Sequence, residues 1–325
     1  MTESAMHLID LMGLEQEWVL DLFSIAERLR AARGTRHAPR PLHGKTAALV
    51  FHKPSLRTRV SFTVGMHELG GDVVDLGSAE VSENGRESLK DVAHVLSGMC
   101  DLIVIRTFAH RIARELAEHA SIPLINALTD FSHPCQILSD LYTLHRAGRD
   151  LDHITVAWVG DGNNVLNSWL EAAAIFGFSL NLAVPDGFEP DGGLYLEVER
   201  RAAGRIHRFR DPRDAVKGAD VVYTDTWTSM GQEKEAEWRR IVFAGYRVDE
   251  ALMGLARPDA LLMHCLPAHR GEEVTDRVLD GPQSIAIEQA ENRLHLQKGL
   301  MVALLEGAAR PRPGTPMQRE TLAIG

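Results

Sequence analysis

The stretch that decides the fold is Phe51-His52-Lys53-Pro54-Ser55-Leu56-Arg57-Thr58-Arg59-Val60-Ser61-Phe62. It follows an apolar, strand-like run at 46–51 and leads into apolar positions at helical spacing. A strand, a short turn and a helix start form an anion site, because free backbone N–H groups and the positive end of the helix dipole point at the ligand. Arg57 adds a two-pronged donor, and the hydroxyls of Ser55 and Thr58 add hydrogen bonds. The alternative is a capped helix with solvated arginines, and a motif this short does not decide between them.

Strand-like and helical segments alternate on both sides of this stretch. In the first half we predict strands at 46–51, 73–76, 102–106 and 123–126, and helices at 15–33, 57–69, 87–99, 110–119 and 136–147. In the second half we predict strands at 154–159, 180–184, 221–224, 261–265 and 284–288, and helices at 164–176, 193–203, 211–218, 233–244, 249–256 and about 290–309. Such alternation predicts parallel sheets with helices on both faces.

The predicted fold class is therefore α/β, with two doubly wound parallel-sheet domains joined by interdomain helices. A chain of 325 residues exceeds one typical domain. We place the first domain at 1–147 and the second at 148–289, and we expect the helix at about 290–309 to pack back on the first domain.

Charge narrows the classes of partner. The net charge is −10, from 35 Lys and Arg against 45 Asp and Glu. An acidic field of this kind repels nucleic acid and anionic lipid, so we expect neither as a partner. An anionic substrate must then be attracted by locally placed arginines.

The sequence lacks the patterns of a membrane span and of a signal peptide. No apolar run is long enough to span a membrane, and residues 1–10 lack the basic-then-apolar order of a signal peptide. The three cysteines, Cys100, Cys135 and Cys265, provide neither a full disulfide framework nor metal-finger spacing. We therefore predict a reduced, cytoplasmic protein.

The first turn of the second half suggests a rival function, that of a nucleotide-dependent oxidoreductase. Residues 156–164 read Val-Ala-Trp-Val-Gly-Asp-Gly-Asn-Asn, a strand followed by a glycine turn, as in dinucleotide-binding folds. The third glycine of that fingerprint is missing, and Asp161 would place a carboxylate beside a pyrophosphate. The turn suits a small polar ligand better, because Asn164 offers both a donor and an acceptor.

Three further clusters follow strand-like runs. They are His133-Pro134-Cys135-Gln136, Asp225-Thr226-Trp227-Thr228-Ser229-Met230-Gly231, and His264-Cys265-Leu266-Pro267-Ala268-His269-Arg270. The bland alternatives are a satisfied half-buried histidine and an Asx-type turn. A metal site from His264, Cys265 and His269 is conceivable, but helix-spaced ligands are lacking. Because ligands of open α/β sheets bind at the carboxyl ends of strands, we expect the clusters to converge on one crevice.

These motifs, with Pro54-Ser55-Leu56-Arg57-Thr58-Arg59, resemble the aspartate/ornithine carbamoyltransferase family over about residues 42–305. The Ser-Met-Gly and His-Cys-Leu-Pro segments resemble its ornithine branch. The resemblance implies transfer of the carbamoyl group of carbamoyl phosphate to the δ-amine of L-ornithine, giving L-citrulline and phosphate, in arginine biosynthesis. It also implies ordered binding with carbamoyl phosphate first, no metal or organic cofactor, and a homotrimer or a multiple of trimers.

The resemblance implies roles for individual residues as well. For carbamoyl phosphate they are Ser55, Leu56, Arg57, Thr58, Ser82, Arg106, His133, Gln136, Cys265, Leu266 and Arg293; for ornithine they are Asn164, Asp225, Ser229 and Met230. Three of these, Arg106, His133 and Cys265, would act in catalysis. The peptide bond between Leu266 and Pro267 is expected to be cis.

Two departures from the family pattern leave alternatives open. Leu56 stands where many ornithine enzymes have threonine, and leucine also occurs there in branches acting on acylated ornithine. Ser82 stands where many relatives supply a glutamine to a neighbouring subunit. The alternatives are a carbamoyltransferase for acetylornithine or putrescine, and a non-catalytic anion-binding subunit.

Overall fold

Two parallel β-sheets form the frame of the chain in a computed structural model that describes residues 5–77, 81, 86–202 and 204–307. The strands of the first sheet are β1 (Thr46–Phe51), β2 (Asp72–Gly77), β3 (Leu102–Arg106) and β4 (Leu124–Leu128), and those of the second are β5 (Thr155–Val159), β6 (Ser179–Ala183), β7 (Ile206–Phe209), β8 (Val221–Thr224) and β9 (Leu261–His264). Their spatial orders are β2-β1-β3-β4 and β7-β6-β5-β8-β9. All the pairings between these strands are parallel, which confirms the predicted fold class.

Helices connect the strands and cover the sheets. The α-helices are α1 (Gln16–Ala31), α2 (Leu56–Glu68), α3 (Leu89–Met99), α4 (His110–His119), α5 (Pro134–Arg146), α6 (Asn164–Phe176), α7 (Gly192–Arg201), α8 (Pro212–Val216), α9 (Ala236–Phe243), α10 (Glu250–Met253), α11 (Asp276–Leu279) and α12 (Ala286–Glu306). Short 3₁₀ turns flank α9 at Glu233–Glu235 and Ala244–Tyr246. Helices α4 and α6 have the predicted bounds, and most others lie within two residues of them.

Burial explains why the central strands form where they do. All five residues of β3 are buried, as are the last five of β1, because both strands are covered by helices on two faces. The alternation of strand and helix in the sequence then requires crossover connections, which keep the strands parallel. The carboxyl ends of β1, β3 and β4 therefore meet at one edge of the first sheet.

The region of residues 284–288 corrects one prediction. The predicted strand is wrong, because α12 begins at Ala286 and only Ser284 bridges to Leu262 of β9. The short apolar run Ile285-Ala286-Ile287 is compatible with a strand or a helix, and Ile287 lies on the outer face of the helix and is 76% exposed. Strand β7, in contrast, was not predicted from the sequence.

Helix α12 joins the two halves of the molecule. It packs against α1, α2 and α5 of the first half, and also against β9 of the second. At Gly299 a side chain would meet the backbone of Ala26 at 3.1–3.2 Å, so glycine permits the close approach of α12 to α1. The last part of the predicted helix, residues 308–309, lies outside the described residues. No helix in the described part of the chain combines the length and apolar character needed to cross a membrane.

A buried carboxylate fixes the amino-terminal segment onto α6. Glu171 is fully buried, and one of its carboxylate oxygens accepts the backbone N–H of Leu11 at 3.2 Å. Burial is the main cause that raises the pKa of Glu171 from 4.5 to about 8, with the charge of Asp10 as the second cause. The folded protein therefore holds a proton there that the unfolded chain releases above its lower pKa.

We expect the substitution Glu171→Gln to flatten the loss of stability at alkaline pH. For a carboxyl whose pKa is raised in the folded state, stability falls as the pH rises from the unfolded value of 4.5 through about 8. Between pH 5 and pH 9 the wild type should lose roughly 4 kcal/mol more of its unfolding free energy than the variant. Denaturant titrations at both pH values measure this, with Glu118→Gln on the exposed face of α4 as the control. Equal losses in wild type and Glu171→Gln would refute the assignment.

Candidate active site

A cleft of about 930 Å³ lies between the two sheets, at the carboxyl ends of their strands. Most of the residues predicted from the sequence line it: Ser55, Leu56, Arg57, Arg106, His133, Gln136, Asn164, Asp225, Ser229, Met230, Cys265, Leu266 and Arg293. Thr58 is buried just behind the first of these, and Ser82 lies outside the described residues. The expected convergence of the clusters on one crevice is therefore observed.

The amino terminus of α2 forms one corner of the cleft. Ser55 is the N-cap, and its hydroxyl accepts the backbone N–H of Thr58 at 3.3 Å. The hydroxyl of Thr58 accepts a hydrogen bond from Arg293 of α12 at 2.8 Å. Arg57 reaches across the cleft and donates to the backbone carbonyl of Leu266. The helix start is thus tied to two distant segments that also line the cleft.

Four cations make the first-domain wall strongly positive. Lys53, Arg57, Arg106 and Arg293 all line the cleft, and three of them are less than 10% exposed. Among the described residues, no hydrogen-bond partner meets the buried Nε atoms of the three arginines. Burial is the main cause that lowers the pKa of Arg106 to about 9, followed by the charges of Arg293 and Arg57. The nearby carboxylates of Asp130 and Asp225 act on Lys53 and Arg57 and offset the four cations only in part. The wall therefore forms a site for an anion carrying more than one charge.

His133 lies beside these cations at the start of α5. It is 4% exposed, and its Nδ1 atom has no hydrogen-bond partner among the described residues. Burial, followed by the charges of Arg293 and Arg106, holds the pKa of His133 well below 6.5. The ring is therefore neutral at neutral pH, and one of its nitrogens can donate a hydrogen bond to a ligand oxygen.

The second-domain wall is built around the carboxylate of Asp225, which directly follows β8. The thiol of Cys265 donates to its Oδ1 atom at 2.9 Å, and the side-chain amide of Asn163 donates to its Oδ2 atom at 2.7 Å. Both donors are neutral groups, so a ligand ammonium is the natural counter-charge for this carboxylate. Burial, and then the charge of Asp225, raises the pKa of Cys265 well above 9, which keeps the thiol protonated.

Two family models match the chain across both walls. "Aspartate/ornithine carbamoyltransferase, carbamoyl-P binding domain" matches residues 6–146, and "Aspartate/ornithine carbamoyltransferase, Asp/Orn binding domain" matches residues 152–304.

The chain belongs to the aspartate/ornithine carbamoyltransferase family.

Individual relatives within this family are similar over nearly the whole chain. An ornithine carbamoyltransferase of Chlorobaculum tepidum is 48% identical over 296 residues, covering 90% of this chain and 88% of the relative. One of Geobacter metallireducens is 46% identical over 301 residues, covering 92% and 99%. The solved structure of the ornithine carbamoyltransferase of Pyrococcus furiosus matches with a TM-score of 0.90 at 42% identity, covering 94% of this chain and 99% of that one. The family membership predicted from the motifs is confirmed.

The mouth of the cleft in this family member carries the remaining predicted residues. Asn164 is held in place because its side-chain amide donates to the backbone carbonyl of Thr129 at 2.6 Å. The backbone N–H of Ser229 donates to the side chain of Gln232 at 3.0 Å, and Met230 is 43% exposed. Ser229 and Met230 therefore belong to a surface turn at the rim, while Asn164 is anchored to the first half of the chain.

Several residues of the site were missed from the sequence. Lys53 lines the cleft with its ammonium 4.2 Å from the centre of the Phe108 ring, and Asn163 holds Asp225. Arg239 of α9 is buried, and it donates to Asp161 at 3.2 Å and to the carbonyl of Trp227 at 2.8 Å. The adjacent Asn163-Asn164 pair was a signal for the amide, but nothing local identified the other two.

The structure also bears on two other interpretations of the sequence, the dinucleotide-binding turn at 156–164 and the metal site around His264 and Cys265. A side chain at position 162 would collide with the carbonyl oxygen of Phe188 at 2.2 Å, so Gly162 serves close packing of the chain, and Asp161 pairs with Arg239. Atoms of Asp225, His264 and Cys265 lie within 4.8 Å of one another, as a metal site would require. However, both ring nitrogens of His264 are engaged, by the N–H of Leu266 and by Glu273, so a metal ion on either nitrogen would displace a buried hydrogen bond. His269 of the predicted metal site belongs to a different group, with Glu272 and Glu273. The bond between Leu266 and Pro267 is cis, as expected.

Proposed function

We propose that this chain is an ornithine carbamoyltransferase, which transfers the carbamoyl group of carbamoyl phosphate to the δ-amine of L-ornithine and releases L-citrulline and phosphate. The observation that carries the proposal is the opposition of charges across one cleft. Four cations face the anion from one wall, and Asp225 offers a carboxylate to an ammonium on the other. Carbamoyl phosphate and an amino acid are a substrate pair with these two charges.

The first-domain wall, which carries the four cations, is proposed to bind carbamoyl phosphate. The free N–H groups at the start of α2, with Ser55, Leu56, Arg57 and Thr58, hold the phosphate, and Arg293 and Lys53 add charge to its oxygens. Arg106 bridges the phosphate and the carbonyl oxygen. Gln136 accepts a hydrogen bond from the carbamoyl nitrogen. We assign this role to residues 1–147 together with α12, and the binding of ornithine to residues 148–289.

The other wall is proposed to bind ornithine by its polar head. Asp225 pairs with the α-ammonium, and Asn164 with the turn at Ser229 and Met230 hydrogen-bonds the α-carboxylate end. The δ-amine then extends toward Cys265 and the carbonyl of Leu266, next to the carbamoyl carbon. Acetylornithine lacks the α-ammonium and putrescine lacks the α-carboxylate, so each uses only part of this wall. The names of the relatives agree with ornithine.

The chemistry follows from this placement. The neutral δ-amine attacks the carbamoyl carbon, the C=O electrons move to oxygen, and a tetrahedral oxyanion forms. Thr58, Arg106 and neutral His133 can donate hydrogen bonds to that oxygen, and each such donor is typically worth ~3 kcal/mol in the transition state. The C–O bond to phosphate then breaks, and the departing phosphate takes a proton from the amine nitrogen. Because the substrates bind to different domains, closure of the cleft aligns them and excludes water.

The direct test is a substrate panel. Carbamoyl transfer should be at least ~100-fold more efficient to L-ornithine than to putrescine or acetylornithine. Acetylornithine leaves the buried carboxylate of Asp225 without an ammonium, and putrescine leaves Asn164 and the turn at Ser229 without a carboxylate. Carbamoylated product is measured for each amine at matched concentrations. Preference for either alternative amine would overturn the assignment of ornithine, and no product with any amine would overturn the reaction.

The thiol of Cys265 provides a second test. Replacing it with alanine should lower kcat about 10- to 100-fold, because the thiol donates to Asp225 and lies beside the proposed position of the δ-amine. Cys100→Ala is the matched control, since that half-buried free cysteine lies outside the cleft. Steady-state kinetics of both variants decide the point. If Cys265→Ala matches Cys100→Ala in citrulline formation, the role given to this thiol is wrong.

Assembly and compartment are proposed on other grounds. Helices α2 and α3 each expose an apolar pair at helical spacing, Leu56 with Val60 and Val95 with Met99, and Leu56 and Met99 are each 78% exposed. We propose that such surfaces are covered by further copies of the chain in a homotrimer or a multiple of trimers, and light scattering should then give the mass of three 35.9-kDa chains or a multiple of it.

The three free cysteines support a reducing, cytoplasmic compartment.

A further inference from the structure

A fully buried carboxylate, Asp140, lies one helical turn beyond Gln136 on α5 and also contacts two other segments of the chain. Its Oδ1 atom accepts hydrogen bonds from the side-chain amides of Gln136 at 2.9 Å and Gln289 at 2.8 Å. Its Oδ2 atom accepts the hydroxyl proton of Tyr223 at 2.8 Å. These partners come from α5, α12 and β8, so the carboxylate joins elements from both sheets. The mechanism described above makes no use of it.

These contacts determine which way the amide of Gln136 faces. Because Nε2 donates to Asp140, the carbonyl oxygen Oε1 is turned away from the carboxylate. That oxygen is buried without a hydrogen-bond partner among the described residues, and Gln136 lines the cleft. An unpartnered buried acceptor in a binding site is costly until a ligand donor fills it.

The same network reaches the opposite wall of the cleft. Gln289 donates from Nε2 to both Asp140 and the hydroxyl oxygen of Tyr223, at 2.8 and 3.1 Å. Its Oε1 atom accepts the backbone N–H of His264 at 3.0 Å, next to Cys265. If either amide turned over, its carbonyl oxygen would face the carboxylate of Asp140. For Gln289 the NH₂ group would in addition face the backbone N–H of His264. The carboxylate therefore fixes both amides at once.

We propose that Asp140 is a positioning residue that fixes the side-chain amide of Gln136 as an acceptor, so that the anion site selects acyl phosphates bearing an N–H donor on the acyl carbon. This inference rests on the proposed function. A carbamoyl group presents an NH₂ to Oε1 of Gln136, whereas an acetyl group presents a methyl of similar size that leaves Oε1 unpaired. With the amide reversed, two NH₂ groups would face each other and the preference would be lost.

Two opposing influences act on the ionised form of Asp140. Burial raises its pKa to about 7, and the hydrogen bonds from Tyr223, Gln289 and Gln136 oppose that rise. The three groups around the carboxylate are all donors, which is the arrangement that stabilises its ionised, acceptor-only form.

The test compares two non-reactive probes that differ by NH₂ against CH₃. Phosphonoacetamide carries the amide, and 2-oxopropylphosphonate carries a methyl at the same place; both bind through a phosphonate. We expect calorimetry on the full chain to show the amide bound about tenfold more tightly or better, as one filled buried acceptor predicts. In Asp140→Ala that ratio should fall below about threefold, because the amide of Gln136 is free to turn.

Three further variants separate positioning from loss of structure. Asp140→Asn keeps one oxygen toward Gln136 and should restore the ratio. Tyr223→Phe removes a different hydrogen bond to the same carboxylate, so it should lower thermal stability and keep the ratio. Asp140→Ser is the second variant if Asp140→Ala does not fold. Its hydroxyl is expected to bond the backbone carbonyl four residues back, as Ser139 and Thr143 do at 2.7 Å.

Each outcome has a defined meaning. A wild-type ratio near one, or an unchanged ratio in Asp140→Ala or Asp140→Ser, overturns the positioning role while citrulline formation continues. A ratio lost equally in Tyr223→Phe also overturns it, because that result indicates general loosening. If the wild type binds neither probe and forms no citrulline, the proposed function itself has failed.

Discussion

Replacing Arg106 with methionine is expected to lower kcat/KM for carbamoyl phosphate by about 10³-fold and, at the same time, to make the substrate-free protein more resistant to heat. The loss of activity follows because Arg106 is proposed to contact both the phosphate and the developing oxyanion, and one such donor is typically worth 10²–10³-fold. Methionine keeps most of the length and packing of the side chain but has no charge or donor. Steady-state kinetics with carbamoyl phosphate varied measure this effect.

The gain in stability has a separate cause. The pKa of Arg106 is lowered to about 9, mainly by burial and then by Arg293 and Arg57. A cation whose pKa is depressed in the folded state costs stability at every pH below its unfolded value, so removing the charge should raise Tm by a few degrees. Inorganic phosphate should stabilise the wild type and have much less effect on the variant, since ligand binding adds to the unfolding free energy.

The exposed arginine Arg277 on α11 supplies the control. Its side chain is 87% exposed and lies 3.8 Å from Glu250, far less confined than that of Arg106. Arg277→Met should change neither kcat/KM nor the response to phosphate. An Arg106→Met protein that is active, or that is less stable while phosphate still protects it, would show that Arg106 is a structural cation and not part of an anion site.

The substitution Asp225→Asn should raise KM for ornithine by about 100-fold or more. The carboxylate is proposed to pair with the α-ammonium, and loss of a buried charge pair costs at least ~2 kcal/mol. The asparagine has nearly the same shape, but its amide would face the donor of Asn163, so the wall also loses its order. KM for carbamoyl phosphate should change by no more than about threefold, since it binds to the other wall.

Asp220, at the opposite end of the same strand, is the matched control for this substitution. It accepts the backbone N–H of Thr155 at 2.8 Å and pairs with Arg257 at 3.2 Å, away from the cleft. Asp220→Asn should therefore reduce thermal stability without changing KM for ornithine. Similar kinetic effects of the two substitutions would mean that Asp225 only supports the end of β8.

The sequence predicted those elements whose cause is local. The stretch around β1 and α2 combines an apolar run, a proline and a capping serine, so its structure depends on neighbours in the chain. Strand β7 was missed because it is an edge strand with His207 and Arg208 exposed, and only Ile206 is buried. An edge strand of this kind has polar composition, and its identity depends on pairing with β6.

The site residues also divide into those that a local motif identifies and those that only long-range packing brings into place. Arg57, His133 and Cys265 belong to short motifs, and strand ends bring such motifs together in any sheet of this type. Arg239 contacts Asp161 across 78 positions, and Asn163 contacts Asp225 across 62, so neither pairing leaves a local pattern. The role inferred for Asp140 likewise depends on segments from three parts of the chain. Such contacts arise from packing, which spacing in one sequence does not encode.

Arg57 donates a hydrogen bond to the carbonyl oxygen of Leu266, the same oxygen that is proposed to accept the δ-amine. While the guanidinium holds that carbonyl, the oxygen is less able to receive an amine N–H. A phosphate that draws Arg57 to itself releases the oxygen for the second substrate. We therefore expect carbamoyl phosphate to bind first, because its phosphate must take the hydrogen bond of Arg57 before the carbonyl of Leu266 is free to accept the amine.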